Sequence, residues 1–243
     1  MQTAIVLGVG ASQGLGGALC RRFAREGLHV LAAGRTQAKL DGIAEEIRRA
    51  GGRATAVVAD ATRPADIAKL FDAAELAGGA PRLAVYNAGN ATMRPFLETD
   101  DALFEQVWRI GCFGGFVFGR EAAQRMLKGG SGGATLMFTG ATASLRARPP
   151  FTAFASAKAA LRAVAHGMAR EFGPKGLHVA HVVIDGAIDG DQLNSRAPQL
   201  KERLGEDGML GVDAIADAYW ALHTQQRSAW TLELDVRPFK ETF

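Results

Sequence analysis

The sequence is poor in cysteine and in aromatic residues, and it has no long uninterrupted apolar run. Its two cysteines, Cys20 and Cys112, show neither a CxxC nor a metal-ligand spacing, which disfavours a disulfide framework or a zinc site and favours a reducing compartment. We expect both to be small core residues. Glycine interrupts the longest charge-free stretches, such as Ile110 to Gly119, so they fall short of the roughly 18 residues of a membrane span.

Runs of one charge are also missing. The chain has 28 Lys and Arg against 25 Asp and Glu, a net charge of +3. The pairs Arg21-Arg22 and Arg48-Arg49 fall on predicted helix faces, where solvated charge is the simpler meaning. Nucleic acid is therefore not an expected partner. The first residues lack the basic start and cleavage region of a signal peptide, so we expect a cytoplasmic protein that does not bind membranes.

Short apolar runs alternate with longer amphipathic stretches, and this alternation predicts the fold. Alternating strands and helices imply a parallel sheet covered on both faces: a three-layer, doubly wound, Rossmann-like α/β fold in a single domain over residues 1–243. Ligands bind such sheets beyond the carboxyl ends of the strands. The predicted strands are Thr3–Val9, His29–Ala33, Arg53–Ala59, Leu83–Tyr86, Ala134–Thr139, His178–Ile184 and Ala229–Val236. The predicted helices are Gly14–Glu26, Thr36–Ala50, Pro64–Ala77, Asp100–Arg109, Gly114–Leu127, Phe151–Phe172 and Asp213–His223.

A glycine-rich turn follows the first predicted strand. Its spacing, Gly10-x-x-x-Gly14-x-Gly16, is neither the P-loop nor the six-residue dinucleotide fingerprint. Glycine allows a tight turn and a close approach to a pyrophosphate, which then faces the amides and the dipole of the next helix. The candidate cofactor-binding residues of this turn are Gly10, Ser12, Gln13, Gly14, Leu15 and Gly16.

Two further motifs follow predicted strands: Asn87-Ala88-Gly89 comes after the fourth and Asp60-Ala61 after the third. With these motifs and the glycine-rich turn, the chain resembles the short-chain dehydrogenase/reductase family over nearly its whole length. The resemblance implies that the first motif supports the sheet under the adenosine and that the second lies near the adenine amino group. It also implies that the backbone around Ile188 binds the nicotinamide amide. Each motif alone would also fit an ordinary turn.

Arg35 bears on the choice of cofactor. The second predicted strand ends Ala32-Ala33-Gly34-Arg35, where an NAD-preferring site would carry an acid for the ribose 2′-hydroxyl. No acid is present, and a guanidinium is well shaped for a 2′-phosphate. We therefore expect NADP(H) to be preferred over NAD(H). The alternative is a surface arginine that opens the next helix.

The catalytic residues that the resemblance would imply are mostly replaced. The family's Tyr-x-x-x-Lys pair reads Phe154 to Lys158, and counting back places Ala141 in the serine slot and Gly111 in the slot of the relay asparagine. A phenyl ring and a methyl group cannot exchange a proton with a substrate oxygen. Lys158 remains, with an implied second role in binding the nicotinamide ribose; the alternative is a solvated helix lysine.

Asp185 and Thr142 are the other candidate proton donors. Asp185 stands in the family's proline slot, where it is either a turn residue or a partly buried acid that supplies the proton. Thr142 has equal claims to a packing and a functional role. His166, His178 and His181 have no evident metal-type partners, so we expect core or surface histidines and no bound metal.

Two functions remain open at this point. One is an NADP(H)-dependent oxidoreductase with an unusual proton route, acting on a small carbonyl, enone or alcohol. The other is a catalytically weak or inactive pseudoenzyme whose cofactor occupancy regulates a partner. The resemblance also implies a homodimer or homotetramer, with helices that meet through the small side chains Ala153, Ala157, Ala160 and Val164. The segment Asp189–Gly208 carries no signature, and its charge suggests a mobile lid.

Overall fold

Strands and helices alternate along the chain as predicted. The computed structural model describes residues 2–128 and 133–241. The strands are β1 (Thr3–Leu7), β2 (His29–Gly34), β3 (Arg53–Val58), β4 (Leu83–Tyr86), β5 (Ala134–Thr139), β6 (Leu177–Ile184), β7 (Ile188–Asp189), β8 (Leu210–Gly211) and β9 (Glu233–Val236). The helices are α1 (Leu15–Arg25), α2 (Gln37–Arg49), α3 (Pro64–Gly78), α4 (Asp101–Trp108), α5 (Gly114–Met126), α6 (Thr152–Phe172), α7 (Asp191–Arg196), α8 (Pro198–Leu204) and α9 (Val212–His223).

Within the described residues, seven parallel strands form one sheet in the order β3-β2-β1-β4-β5-β6-β9. The strand order reverses between β1 and β4, which is where such folds bind ligands. Side chains of β1 alternate between two cores: Ala4 and Val6 face helices α1, α2 and α9, whereas Ile5 and Leu7 face α3, α5 and α6. The predicted three-layer, Rossmann-like single domain is confirmed.

The differences from the prediction are local. The last strand was expected from Ala229 but begins at Glu233, because the Gln225 side chain binds both the backbone N–H and the hydroxyl of Thr231 and holds that segment out of the sheet. A π-helical turn, Arg109–Phe113, joins α4 to α5. Both features depend on contacts that the hydrophobic periodicity of the sequence does not predict.

Two of the small side chains on α6 pack against other residues of the same chain. Ala153 and Ala157 are buried in a cluster with Val107 of α4, so the expectation that they contact a second copy was wrong for these residues. Ala160 and Val164 are half-buried, and a homo-oligomer remains a prediction. Both cysteines are buried, as expected. None of the helices in the described ranges is long and apolar enough to cross a membrane.

Candidate active site

The carboxyl ends of β1, β4, β5 and β6 surround an open cavity of about 580 Å³. It lies beside the reversal of strand order, as expected for this sheet. The predicted site residues that line it are Gly10, Gly14, Leu15, Gly16, Asn87, Gly89, Ala141, Phe154, Lys158 and Ile188. Those outside its lining are Ser12, Gln13, Arg35, Asp60, Ala61, Ala88, Gly111 and Asp185.

The glycine turn has two kinds of glycine. Gly8 has φ +107°, and Gly16 is packed so closely that a Cβ would lie 2.9 Å from the Gly8 carbonyl oxygen. Gly10 differs, because it lines the cavity and a Cβ there would meet nothing within 4 Å. The N-terminus of α1, at Leu15, has no side-chain cap, so its amides can bind an anion. This cradle fits the pyrophosphate of a dinucleotide.

Ser12 and Gln13 are already engaged by protein groups. The Ser12 hydroxyl donates to Glu46 at 2.8 Å, and neither residue lines the main cavity. The Gln13 backbone N–H donates to the Asp191 carboxylate at 3.3 Å, and the Asp191 N–H donates to the Gln13 carbonyl at 3.2 Å. Their predicted contacts with a cofactor therefore require these bonds to be shared or exchanged.

A second cavity, of about 280 Å³, lies at the ends of β2 and β3 and includes Arg35, Asp60 and Thr62 in its lining. The Asp60 carboxylate accepts from the backbone and hydroxyl of Thr62, at 2.8 Å each. Burial tends to raise the pKa of Asp60, but these bonds and the charges of Arg35 and Arg63 hold it below its usual value. An ionised Asp60 can accept from an adenine amino group, and the exposed Arg35 can meet a ribose phosphate.

Asn87 ties three strands together at the floor of the main cavity. Its side-chain amide donates to the Gly8 carbonyl at 3.1 Å, and its oxygen accepts from the Thr139 hydroxyl at 3.0 Å. The Thr139 hydroxyl also lies 2.8 Å from the Tyr219 hydroxyl of α9. Asn87 therefore supports the sheet, as the resemblance implied.

Lys158 is a buried residue and not a solvated helix lysine. It is 4% exposed, and its Nζ donates to the Thr139 carbonyl at 2.7 Å. Burial lowers its pKa to about 8. Because Lys158 also lines the main cavity, it brings a readily released proton to the site.

The slots around Lys158 lack hydroxyl groups. The Phe154 ring lies on the cavity wall with its centroid 5.8 Å from the Lys158 Nζ, and Ala141 lines the same wall. Gly111 sits in the π-helical turn behind them, where a Cβ would lie 2.6 Å from the Cβ of Ala157. Real Cβ atoms do not approach that closely, so an asparagine at 111 would require α4 and α6 to move apart.

Asp185 is buried among hydroxyl and guanidinium groups. It is 4% exposed, and the Thr142 hydroxyl donates to it at 2.5 Å. Arg237 and Arg146 lie 3.3 and 3.6 Å from its oxygens. These contacts occupy both oxygens of the Asp185 side chain, so the geometry supports a role in orienting Thr142 and Arg146 over a role as proton donor.

Two histidines share a carboxylate that sequence reasoning missed. His166 Nε2 and His181 Nδ1 lie 3.0 and 2.9 Å from the same Glu233 oxygen. The expectation that these histidines lack a metal-type partner was wrong, since the three donor atoms lie within 4.8 Å of one another. Arg162, however, binds both Glu233 oxygens at 2.6 and 2.8 Å, and its charge opposes a bound cation. The pairing of His181 with Glu233 follows from the register of β6 and β9.

The segment after β6 forms a cover over the cavity. It contains β7, α7, α8 and β8, which the sequence did not predict. Lys201 pairs with Asp189 at 2.8 Å, and Gln192 and Arg196 of α7 both donate to the Asn90 side chain. These contacts join the cover to the turn after β4, and its mobility remains a prediction.

Comparison with known proteins agrees with this geometry. A family model described as short chain dehydrogenase matches residues 4–200. YuxG of Bacillus subtilis, described as an uncharacterized oxidoreductase, is 36% identical over 191 residues, covering 78% of this chain and 28% of that protein. The chain thus spans less than a third of that relative's length.

Two solved structures extend the comparison. A short-chain dehydrogenase from Rhodopseudomonas palustris is 39% identical with a TM-score of 0.81, covering 98% of this chain and 99% of that one. An NADPH-bound short-chain oxidoreductase from Pseudomonas aeruginosa, described as containing an atypical catalytic center, is 23% identical with a TM-score of 0.87 and covers 100% of this chain and 97% of that one. The latter shows a shared fold.

Proposed function

The chain belongs to the short-chain dehydrogenase family, and on that basis we propose that it is an NADP(H)-dependent oxidoreductase that reduces a small activated carbonyl or enone without the family's tyrosine. Family membership supports the oxidoreductase class. The structural observation that carries the rest is Lys158, which is buried beside the cavity and hydrogen-bonded through one N–H to the Thr139 carbonyl.

The choice of NADP(H) rests on Arg35 and the residues near it. The lining of the smaller cavity contains Arg35 and Asp60. Arg35 is exposed, and no hydrogen bond or ion pair with another described residue holds its guanidinium. A guanidinium in this position suits a 2′-phosphate. The Pseudomonas aeruginosa protein of the same fold binds NADPH, which supports this choice for the present chain.

Lys158 is the residue we assign to proton transfer. When bound, the nicotinamide cofactor supplies the hydride. The substrate oxygen must also gain a proton, and in the described lining Lys158 is the side chain that releases one nearest to neutral pH, because burial lowers its pKa to about 8. A group with a pKa near the working pH is an effective general acid. Solvent then returns the proton to the neutral amine.

Titration with NADPH and NADH, followed by a panel of aldehydes, ketones, enones and quinones, tests the proposal. We expect tighter binding of NADPH, an NADPH preference that falls about tenfold or more in Arg35→Ser, and oxidation by the activated acceptors. Reduction should slow as the pH rises through about 8, where Lys158 loses its proton. Tight binding with no oxidation by any acceptor would overturn the redox assignment and favour a regulatory role. Tighter binding of NADH would refute the cofactor assignment.

A further inference from the structure

The wall of the main cavity carries several cations and no acid. Arg146, Arg148 and Arg196 line it together with Lys158, and no Asp or Glu does so in the part of the chain that the structure describes. Phe151 and Phe154 line the same region. The lining therefore combines an apolar surface with a net positive charge.

These arginines are far from the part of the fold that meets the adenosine. Arg146 and Arg148 lie between β5 and α6, whereas Arg35 follows β2. The order β2-β1-β4-β5 puts three strand spacings between them, or about 14 Å. The glycine turn after β1 lies between the two groups and already offers amides for a pyrophosphate. The arginines thus belong to the region around Phe154, where the substrate must sit.

Their charges are only partly used within the chain. Arg148 is exposed, and no described side chain pairs with its guanidinium. Arg196 donates to the neutral Asn90 side chain at 3.3 Å. Arg146 lies 3.6 Å from Asp185, and Arg237 lies 3.3 Å from the same carboxylate and 2.5 Å from that of Asp235. Two carboxylates therefore face two guanidiniums there, so Arg148 and Arg196 are the arginines of the lining that have no acidic partner among the described residues.

We propose that the substrate is an organic anion: a small carbonyl compound that carries a carboxylate bound by Arg148 and Arg196, with its body against Phe151 and Phe154. This rests on the redox function proposed above. Planar guanidiniums bind carboxylates with two parallel hydrogen bonds. The reaction is balanced by one hydride added to the carbonyl carbon and one proton added to its oxygen, and the carboxylate is unchanged.

A matched pair of substrates tests the charge. 4-Carboxybenzaldehyde and methyl 4-formylbenzoate share a ring and an aldehyde and differ in one negative charge. We expect kcat/KM with NADPH to be at least tenfold higher for the acid at low ionic strength, with the preference reduced by salt. Arg148→Gln and Arg196→Gln should each remove most of it. Arg49→Gln is the control, because it changes the net charge by the same amount as the other two substitutions. Arg49 itself is 77% exposed and pairs with Glu45.

Binding is measured separately from turnover, so that the proposed anion site and the proposed redox function are tested independently. Calorimetric titration of the protein with 4-carboxybenzaldehyde, with and without NADPH, should show binding that Arg148→Gln weakens about tenfold and Arg49→Gln leaves unchanged. The same binding without turnover would support the anion site and overturn the redox function. Equal turnover and binding of acid and ester would overturn the anion site and leave the redox function standing. Unchanged NADPH affinity in Arg148→Gln and Arg196→Gln shows that the arginines act on the substrate.

Discussion

Restoring the missing phenol is the strongest test of how this site works. In Phe154→Tyr the new hydroxyl enters the wall of the cavity, and in the double variant with Ala141→Ser a second hydroxyl can bind the substrate oxygen. With the Lys158 ammonium at 5.8 Å, the ring-centroid distance, the attraction to a tyrosinate is about 3 kcal/mol at an effective dielectric constant near 20. This is about two pKa units, which brings the phenol from about 10 to about 8.

A phenol of that acidity is protonated at pH 7 and is a good proton donor. General acid catalysis typically contributes about 10²–10⁴ in rate, and part of this already comes from Lys158 in our proposal. We therefore expect kcat/KM for simple aldehydes and ketones to rise about 10- to 100-fold in Phe154→Tyr, and further with Ala141→Ser. The assay is NADPH oxidation at pH 7 under saturating cofactor.

The control is Phe151→Tyr, which adds a phenol to the same cavity at a different position. NADPH affinity is measured for each variant, so that a change in cofactor binding is not mistaken for a change in chemistry. If the double variant binds NADPH normally and is no faster than Phe151→Tyr, then the absent hydroxyls do not limit the wild-type protein. The expectation that proton transfer to the substrate oxygen limits turnover would then be refuted.

Three further predictions concern stability and the glycine turn. Burial lowers the pKa of Lys158 from 10.5 to about 8, so the charged side chain destabilises the fold at pH 7, and the free energy of unfolding rises as the pH increases from about 8 to 10.5. Lys158→Met should therefore raise the free energy of unfolding by about 1–3 kcal/mol at pH 7 and slow the reduction of substrate. A lower melting temperature of this variant would contradict the prediction. Hydrogen bonds from Arg162 lower the pKa of Glu233 to about 2, which stabilises the fold above pH 4.5, and this stabilisation is lost as the pH falls through 2. Glu233→Gln should therefore lower the free energy of unfolding, measured in urea at pH 7, by about 1–3 kcal/mol. An equal loss at pH 2 would count against the ion network. Gly16→Ala should lower the melting temperature, because the new Cβ would lie 2.9 Å from backbone atoms. Gly10→Ala should weaken NADPH binding and leave the melting temperature unchanged, because a Cβ there meets nothing within 4 Å. Equal melting temperatures for the two variants would argue against the distinction between a packed Gly16 and an open Gly10.

Much of the fold was predictable because it repeats one physical pattern. Buried strands of a parallel sheet are short apolar runs, and their alternation with amphipathic helices determines the architecture. The positions of Lys158, Phe154 and Ala141 around one cavity followed from local spacing and the family resemblance. These features lie in segments whose neighbours are set by chain order.

The rest depended on contacts between distant segments. Glu233 meets His181 through the register of two strands 52 residues apart, and the Asp191 carboxylate reaches the Gln13 amide across 178 residues. The ionic partners of Asp185 likewise come from separate loops. Spacing along the chain does not report such distances, so the cover, the ion network around Glu233 and the partners of Asp185 were not predicted.

The close contact between Gly111 and Ala157 sets the order in which changes can accumulate at this site. Phe154 and Ala141 face open space, so a single substitution can return a hydroxyl to either position. Position 111 differs, because any side chain there collides with α6 until Ala157 becomes glycine or the helices separate. A path from the present site to the four-residue site that the resemblance implies therefore needs a change at 157 or a separation of the helices before an asparagine at 111 is tolerated, which makes position 111 the hardest of the three to change.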